Sequence, residues 1–377
     1  MPLRRTCLLA ALFLPLVDAG ARGYPVGFDV VFAADSARPM LPTGRPRPVQ
    51  IAVWYPAKES PSRDTLAFVD YLGLSASDSG MSDGRGVAVE VQQYRDFLES
   101  HGAPADAVDD WLSRRGRAVR RAPAARGRFP LVLIAPGNGG SVYDQAWLAE
   151  YLAAHGYAVA VCPSPMRISG PMREETEVGE KAAEQAGDLG FAVEVLARRA
   201  QVDASSIGVV GHSFGARGGL LLAMRDERVR ALVSLDGGIG VATGSSSLEH
   251  TKGFSALGAK VPTLHFYETL DAYMAPDFSL LRRLTSSERW LVGPVGLHHH
   301  LFTVLGTDST LGAATGSDSR SVRAYAGVMQ ATGEFLDAFV RDLPAARATV
   351  LGSPGWPAGL PTTHLPAATT PPIRARP

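Results

Sequence analysis

Short apolar runs alternate with longer amphipathic stretches between residues 129 and 342. The apolar runs predict strands at 131–135, 158–162, 207–210, 229–235, 261–267 and 290–292. The stretches between them predict helices at 142–155, 188–200, 214–225, 278–284 and 321–342. In the second of these helices, Leu189, Val193 and Leu196 recur at helical spacing and form one apolar stripe. Apolar strands joined by helices indicate a mostly parallel sheet that is covered by helices on both faces.

The segments around this alternating region differ in character. Residues 26–32 and 49–55 are β-rich and are separated by the Pro-rich segment 38–48, so they predict a leading antiparallel hairpin. Residues 63–128 are predicted to be a partly helical insertion, which either decorates the surface or forms a cap over an active site. Residues 353–377 are rich in Pro, Ala and Thr and are expected to lack a fixed structure. One α/β domain over 22–352 is therefore expected.

The first 21 residues have the pattern of a signal peptide. Arg4 and Arg5 precede an apolar run at 7–17, and small residues follow it up to Ala21. The run is about half of the ~20 residues that a membrane-spanning helix needs, although an uncleaved anchor is the alternative. The sequence thus predicts a secreted or periplasmic protein. Cleavage after Ala21 would leave Cys162 as the single cysteine, without an intramolecular disulfide partner.

The charge balance of the chain bears on its partners. Its 377 residues include 37 Lys and Arg and 37 Asp and Glu, so no basic excess is available to bind a nucleic-acid backbone. Nucleic acid is therefore not an expected partner.

The segment Gly211-His212-Ser213-Phe214-Gly215 carries the clearest chemical signal. It has the G-x-S-x-G pattern, and it joins a predicted strand to a predicted helix as a nucleophile elbow does. Gly211 and Gly215 leave room where a side chain would collide with neighbouring backbone. Ser213 is the predicted nucleophile, and the N–H of Phe214 at the start of the helix is a predicted oxyanion donor.

A nucleophilic serine requires a histidine to take its proton and a carboxylate to orient that histidine. The run His298-His299-His300 follows the last predicted strand, where the base of such a site returns toward the serine. The H-x-x-F spacing from His299 to Phe302 favours His299, with His298 and His300 as alternatives. Three consecutive residues cannot easily face one ion, so no metal site is predicted.

Three carboxylates are candidates for the acid. Asp236 follows the strand at 229–235, while Glu268 and Asp271 follow the strand at 261–267. All three lie at strand ends, so position alone leaves the choice open. The Gly-rich loop 136–140 follows the strand at 131–135, and it is predicted to supply the N–H of Asn138 as the second oxyanion donor.

These motifs resemble those of the α/β-hydrolase superfamily, and within it the serine esterases similar to platelet-activating-factor acetylhydrolases and bacterial dienelactone-hydrolase-like proteins. The residues that carry the likeness are the elbow and the segments VQIAVWYP at 49–56, FPLVLIAPGNG at 129–139, ALVSLDG at 231–237 and GLHHHLF at 296–302. The likeness covers about 24–342 without the insertion. It implies an α/β-hydrolase fold, Asp236 as the acid, His299 as the base, and Asn138 and Phe214 as the oxyanion donors.

Some positions depart from the family pattern. Pro136 stands where relatives often have His, and Ala216 where they often have Gly. Dienelactone hydrolases proper use a cysteine nucleophile, so Ser213 argues against their reaction.

The expected function is that of a secreted serine esterase that needs no cofactor. The resemblance implies short-chain acyl or acetyl esters, or oxidised and short-chain phospholipids. The substrate would then be a small-molecule or lipid ester, and a lipid substrate would bring transient contact with a membrane. Amide, peptide or polyester hydrolysis by the same triad is one alternative, and a non-catalytic binding protein on the same fold is another.

Overall fold

The structure is a computed structural model that describes residues 23–40, 43–59, 64–77, 86–164, 175–270, 273–353 and 355–368. The predicted signal peptide at 1–21 lies outside these residues, as do parts of the insertion.

The described strands form one eleven-stranded sheet. They are β1 (Val26–Met40), β2 (Arg45–Pro56), β3 (Thr65–Ala67), β4 (Arg115–Arg120), β5 (Phe129–Ala135), β6 (Ala158–Val161), β7 (Val202–His212), β8 (Val229–Leu235), β9 (Thr263–Phe266), β10 (Arg289–Val292) and β11 (Thr362–Leu365).

The described helices lie mainly in the connections between these strands. They are α1 (Phe68–Leu72), α2 (Val87–Ser100), α3 (Ala105–Ser113), α4 (Ala146–Ala154), α5 (Glu175–Leu196), α6 (Gly215–Arg225), α7 (Thr243–Glu249), α8 (Ser279–Arg283), α9 (Gly312–Thr315), α10 (Ser319–Phe339) and α11 (Pro344–Gly352). Short 3-10 turns occur at Gly73–Ser77, Val142–Gln145, Ala256–Gly258, His299–Phe302 and Val304–Thr307. No helix in the parts of the chain that the structure describes combines the length and apolar character needed to cross a bilayer.

Strand order explains how distant segments of the chain meet. The order is β11-β10-β9-β8-β7-β5-β6-β2-β1-β4-β3, and the six strands from β10 to β6 are parallel to one another. β1 and β2 form the leading antiparallel hairpin, with Val26 opposite Pro56. The carboxyl ends of β5, β7, β8, β9 and β10 consequently lie side by side along one edge, where parallel α/β sheets bind ligands.

Apolar side chains cover both faces of the sheet. On one face α4 and α10 pack together with the helices of the insertion, and on the other face α5, α6, α7 and α8 contribute the buried residues. The strands between these layers are apolar on both sides because neither face meets water. The predicted mostly parallel sheet with helices on both faces is confirmed.

The insertion packs on the same face of the sheet as α4 and α10. Its strands β3 and β4 extend the sheet beyond β1, and the Phe68 and Trp111 side chains are fully buried. Glu150 on α4 accepts hydrogen bonds from the Tyr71 hydroxyl at 2.7 Å and from the Arg117 backbone N–H at 2.5 Å. These bonds join the insertion to the main domain, and its role as a cap stays a prediction.

The expected absence of fixed structure in 353–377 is wrong for residues 355–368. β11 pairs antiparallel with β10, with Arg289 opposite Leu365. Trp356 is buried, and its ring lies 6.0 Å from that of Trp290 and 6.1 Å from that of Phe335. Trp356 alone thus provides buried apolar area that stabilises this segment, although the average composition of the segment does not indicate it. Residues 369–377 lie outside the described residues.

Candidate active site

Ser213 occupies a sharp turn between β7 and α6. Its φ is +53°, a conformation that is strained for a residue with a side chain. Hydrogen bonds hold this turn, because the Ser213 N–H donates to the Leu235 carbonyl at 3.1 Å and the Gly238 N–H donates to the Ser213 carbonyl at 2.8 Å. Both partners belong to the end of β8 or the loop after it. Packing of the next strand therefore fixes the half-buried serine at the sheet edge.

The glycines around the serine are required by close backbone contacts. A Cβ on Gly211 would lie 2.5 Å from the backbone of Ala216, and one on Gly215 would lie 2.0 Å from the Ala135 carbonyl oxygen. A Cβ on Gly137 would lie 3.0 Å from the Cβ of Ser213. The elbow and the loop after β5 are thus as close together as their backbones allow.

His299 and Asp236 form a buried hydrogen-bonded pair. Nδ1 of His299 lies 2.6 Å from Oδ2 of Asp236, and the two residues are 4% and 2% exposed. A carboxylate only accepts hydrogen bonds, so Nδ1 carries the proton and Nε2 is left as the basic nitrogen. Asp236 directly follows β8 and has a φ of +43°, a second strained residue beside the elbow.

His212 connects this pair to the elbow. Its ring stacks on that of His299, with centroids 4.9 Å apart and planes 27° apart, and its Nε2 lies 3.4 Å from the His299 carbonyl oxygen. Burial, together with the nearby His299 and His300 rings, holds the pKa of His212 well below its ordinary value. His212 is therefore a neutral ring that packs against the face of the His299 ring. Because it immediately precedes Ser213, the contact brings the His299 ring to the nucleophile turn.

The two other candidate acids lie in different positions. Glu268 is buried, its backbone N–H donates to Asp236 Oδ1 at 2.8 Å, and its Oε2 accepts from the backbone N–H of His299 at 3.1 Å. Its carboxylate thus meets the backbone of His299, while that of Asp236 meets the ring. Asp271 lies outside the described residues.

The three consecutive histidines face different partners. Nε2 of His298 lies 2.8 Å from the Thr315 carbonyl, whereas His300 is exposed and its ring lies 5.7 Å from that of Tyr273. His299 is the ring that hydrogen-bonds Asp236. Among the described residues, no group of three or more His, Cys, Asp or Glu side chains lies close enough together to hold a metal ion.

The Gly-rich loop after β5 lies against the elbow. Gly139 has a φ of +66°, and the Gly140 N–H donates to the Gly137 carbonyl at 3.1 Å, so the chain turns tightly around the exposed Asn138. The buried side chain of Gln185 on α5 donates to the Pro136 carbonyl at 3.0 Å. Sequence reasoning did not single out Gln185, because a polar residue on a helix gives no signal of its long-range partner.

Large apolar side chains are exposed in the loops after β9 and β10, which also carry Glu268 and His299. Leu270, Tyr273 and Val295, here called the apolar rim, are 56%, 69% and 67% exposed. Thr269 joins the two loops that carry them, since its hydroxyl donates to the Pro294 carbonyl at 2.9 Å. This rim was not apparent from the sequence, because its members are separated along the chain.

Comparisons with known proteins agree with this architecture. Residues 130–264 match the family model described as alpha/beta hydrolase fold. Cutinase 2 of Thermobifida cellulosilytica is 27% identical over 144 residues, which cover 37% of this chain and 53% of that protein. Cutinase cut1 of Thermobifida fusca is also 27% identical over 144 residues, covering 37% of this chain and 44% of that protein. The chain thus spans about half the length of the curated relatives it matches.

A solved structure extends the likeness to most of the molecule. A ferulic acid esterase from Streptomyces cinnamoneus superposes with a TM-score of 0.65 at 22% identity, covering 91% of this chain and 96% of that chain. The protein therefore has an α/β-hydrolase fold and is distantly related to cutinases.

Proposed function

We propose that the protein is a serine hydrolase that cleaves carboxylic esters through an acyl-enzyme. Ser213 is the nucleophile, His299 the general base and acid, and Asp236 the residue that orients His299. The backbone N–H groups of Asn138 and Phe214 hold the oxyanion. The single observation that carries the proposal is the 2.6 Å bond between His299 and Asp236, made beside the strained turn of Ser213.

Each chemical step uses groups of this chain. The hydroxyl of Ser213 attacks the ester carbonyl while Nε2 of His299 takes its proton, and Asp236 stabilises the resulting imidazolium. The negative charge on the carbonyl oxygen is held by the two backbone N–H groups, each worth about 3 kcal/mol in the transition state. His299 then returns the proton to the departing alcohol. Water then gives a proton to His299 and attacks the carbonyl of the acyl-enzyme. His299 returns this proton to the departing Oγ of Ser213, which releases the acid and restores the free serine and the neutral histidine.

The names of the relatives support a carboxylic ester as the bond that is cleaved. They are called cutinases and ferulic acid esterase, and these names describe hydrolases of carboxylic esters. The apolar rim supports a substrate with an apolar acyl or alcohol part, because burial of Leu270, Tyr273 and Val295 against it would be favourable. We therefore infer an apolar ester as the substrate class.

Three finer substrate classes are proposed. The position of Asp236 directly after β8 is the one that the resemblance to acetylhydrolases implies, and it supports acetyl or short-chain esters and oxidised phospholipids. The cutinase relatives favour a polyester instead. A rate profile over ester chain length, run beside a phospholipid and an aromatic polyester, would distinguish these three classes.

The decisive experiment is Ser213→Ala with a p-nitrophenyl short-chain ester. We expect the variant to lose turnover and labelling by a fluorophosphonate probe while it keeps its thermal unfolding midpoint, since Ser213 is a half-buried turn residue. Unchanged turnover in Ser213→Ala would reject the proposed nucleophile. A wild-type protein that neither turns over esters nor reacts with the probe would favour a non-catalytic binding protein.

We also propose that residues 1–21 direct export of the protein. The proposal depends on Arg4 and Arg5 followed by the apolar run at 7–17. Sequencing the amino terminus of protein expressed from the full gene tests it. A mature chain that begins near residue 22 outside the cytoplasm is expected, and a cytoplasmic protein that begins at residue 1 would contradict the proposal.

A further inference from the structure

Glu268 lies between the candidate acid and the candidate base and bonds to both. It is 2% exposed, its backbone N–H donates to Asp236 Oδ1 at 2.8 Å, and its Oε2 accepts from the His299 N–H at 3.1 Å. Its Oε1 accepts from the backbone N–H of Met274, in the loop that also carries Tyr273. A single residue thus joins the ends of β8 and β9 to the loop after β10.

We propose that Glu268 is a positioning residue for the hydrolysis, one that fixes His299 and Asp236 relative to each other and adds a second negative charge beside them. This inference rests on the proposed function. The bond from the Glu268 N–H occupies Oδ1 of Asp236, which leaves Oδ2 facing the imidazole. The bond from the His299 N–H to Oε2 fixes the backbone from which the imidazole projects.

The charge of Glu268 is a further contribution. A buried carboxylate near His299 favours the protonated imidazole, which is the form that arises when Ser213 loses its proton. In the described structure the titratable groups in contact with His299 include Asp236, His212, His300 and Tyr273 at its ring and Glu268 at its backbone N–H. Burial keeps His212 neutral. The two carboxylates are therefore the negative charges among these groups.

A purely structural role for Glu268 would give a different result. Glu150 is the matched control for Glu268. It is 4% exposed, and it accepts hydrogen bonds from one hydroxyl and two backbone N–H groups where α4 meets the insertion. Loss of either carboxylate should lower stability, since buried donors lose their acceptor. Only the loss of the Glu268 carboxylate should alter the pH dependence of turnover.

The experiment compares Glu268→Gln and Glu150→Gln on p-nitrophenyl acetate across the pH range in which histidine titrates. For Glu268→Gln we expect kcat to fall by roughly tenfold to a hundredfold with little change in KM, because the base is misplaced. We expect the midpoint of the acidic limb to move to lower pH by about half a unit, because a nearby negative charge is lost. Glu150→Gln should keep the wild-type kcat and midpoint.

Glu268→Asp tests the position of the carboxylate separately from its charge. It replaces Glu268→Gln as the test if that variant does not fold. It keeps the carboxylate but shortens the side chain by one methylene, so kcat should fall while the acidic midpoint stays at the wild-type pH. A wild-type kcat in Glu268→Asp, or an unmoved midpoint in Glu268→Gln, would overturn the inference. Ser213→Ala separates the two claims, because its inactivity upholds the proposed function even when the Glu268 variants behave like Glu150→Gln.

Discussion

The ring of Tyr273 lies 5.0 Å from the ring of His299, although Tyr273 is 69% exposed. The contact places an aromatic surface open to solvent directly beside the candidate base. An apolar substrate group that lies beside His299 would meet this ring. Tyr273 is therefore the residue through which substrate preference is most directly tested.

Replacement of Tyr273 by Ala should weaken binding of esters with an aromatic or long acyl group. An aromatic contact contributes about 0.5 to 1.5 kcal/mol, so KM for such esters should rise about twofold to tenfold, and KM for acetate esters should rise less. Tyr273→Phe keeps the ring and should resemble wild type. Equal KM values in Tyr273→Ala and wild type for every ester would show that the ring does not contact substrate.

Asp236→Asn should lower kcat by roughly 10³ to 10⁴ with the fold intact. Asp236 accepts one bond from the Glu268 N–H and one from His299 Nδ1, whereas Asn has a single acceptor oxygen. When that oxygen faces Glu268, the amide NH₂ faces Nδ1 and forces the imidazole proton onto Nε2, where it blocks the base.

Kinetics on a p-nitrophenyl ester measure the effect of this change. Asp203→Asn, at the start of β7 and the opposite edge of the sheet, is the control and should remain active. Turnover within tenfold of wild type in Asp236→Asn would mean that another carboxylate orients the catalytic histidine.

His265 should make the protein less stable in acid. It is a buried residue of β9 with Nδ1 2.9 Å from the hydroxyl of Ser234 on β8, and burial lowers its pKa to about 3. Below about pH 6.5 the unfolded chain protonates this histidine while the folded chain does not. Stability present above that pH is therefore lost as the pH falls toward 3, by about 1.4 kcal/mol per pH unit.

Urea unfolding of wild type and His265→Asn at several pH values measures this contribution. The free energy of unfolding of the variant should depend less steeply on pH between about 6.5 and 4. Parallel curves for the two proteins would mean that His265 titrates alike in the folded and unfolded chains.

Trp356→Ala should lower the free energy of unfolding by about 3 to 5 kcal/mol. The indole is buried against Trp290 and Phe335, and its Nε1–H donates to Glu334 at 2.7 Å, so truncation leaves a cavity and an unpaired acceptor. Leu351→Ala, at a residue that is 46% exposed, is the control and should change stability by less than about 0.5 kcal/mol. Equal stability of Trp356→Ala and wild type would mean that the segment after α11 does not pack in solution.

Local sequence signals identified the fold and the elbow. Apolar runs such as 207–210 and 229–235 favour buried strands wherever they occur, and the helical spacing of Leu189, Val193 and Leu196 needs no distant partner to be recognised. The small residues on both sides of Ser213 are equally local, because the tight turn they permit involves adjacent residues. Strands, helices and the candidate nucleophile were therefore predictable from neighbouring positions.

The order of residues alone places a serine, carboxylates and histidines at strand ends, in an arrangement suited to ester hydrolysis. The folded chain was needed to show that Asp236 meets the His299 ring while Glu268 meets its backbone, that His212 stacks beneath that ring, and that residues 362–365 form a strand. These contacts join residues that are far apart along the chain. Asp236 and His299 are 63 residues apart, and their contact exists only because β8, β9 and β10 lie side by side.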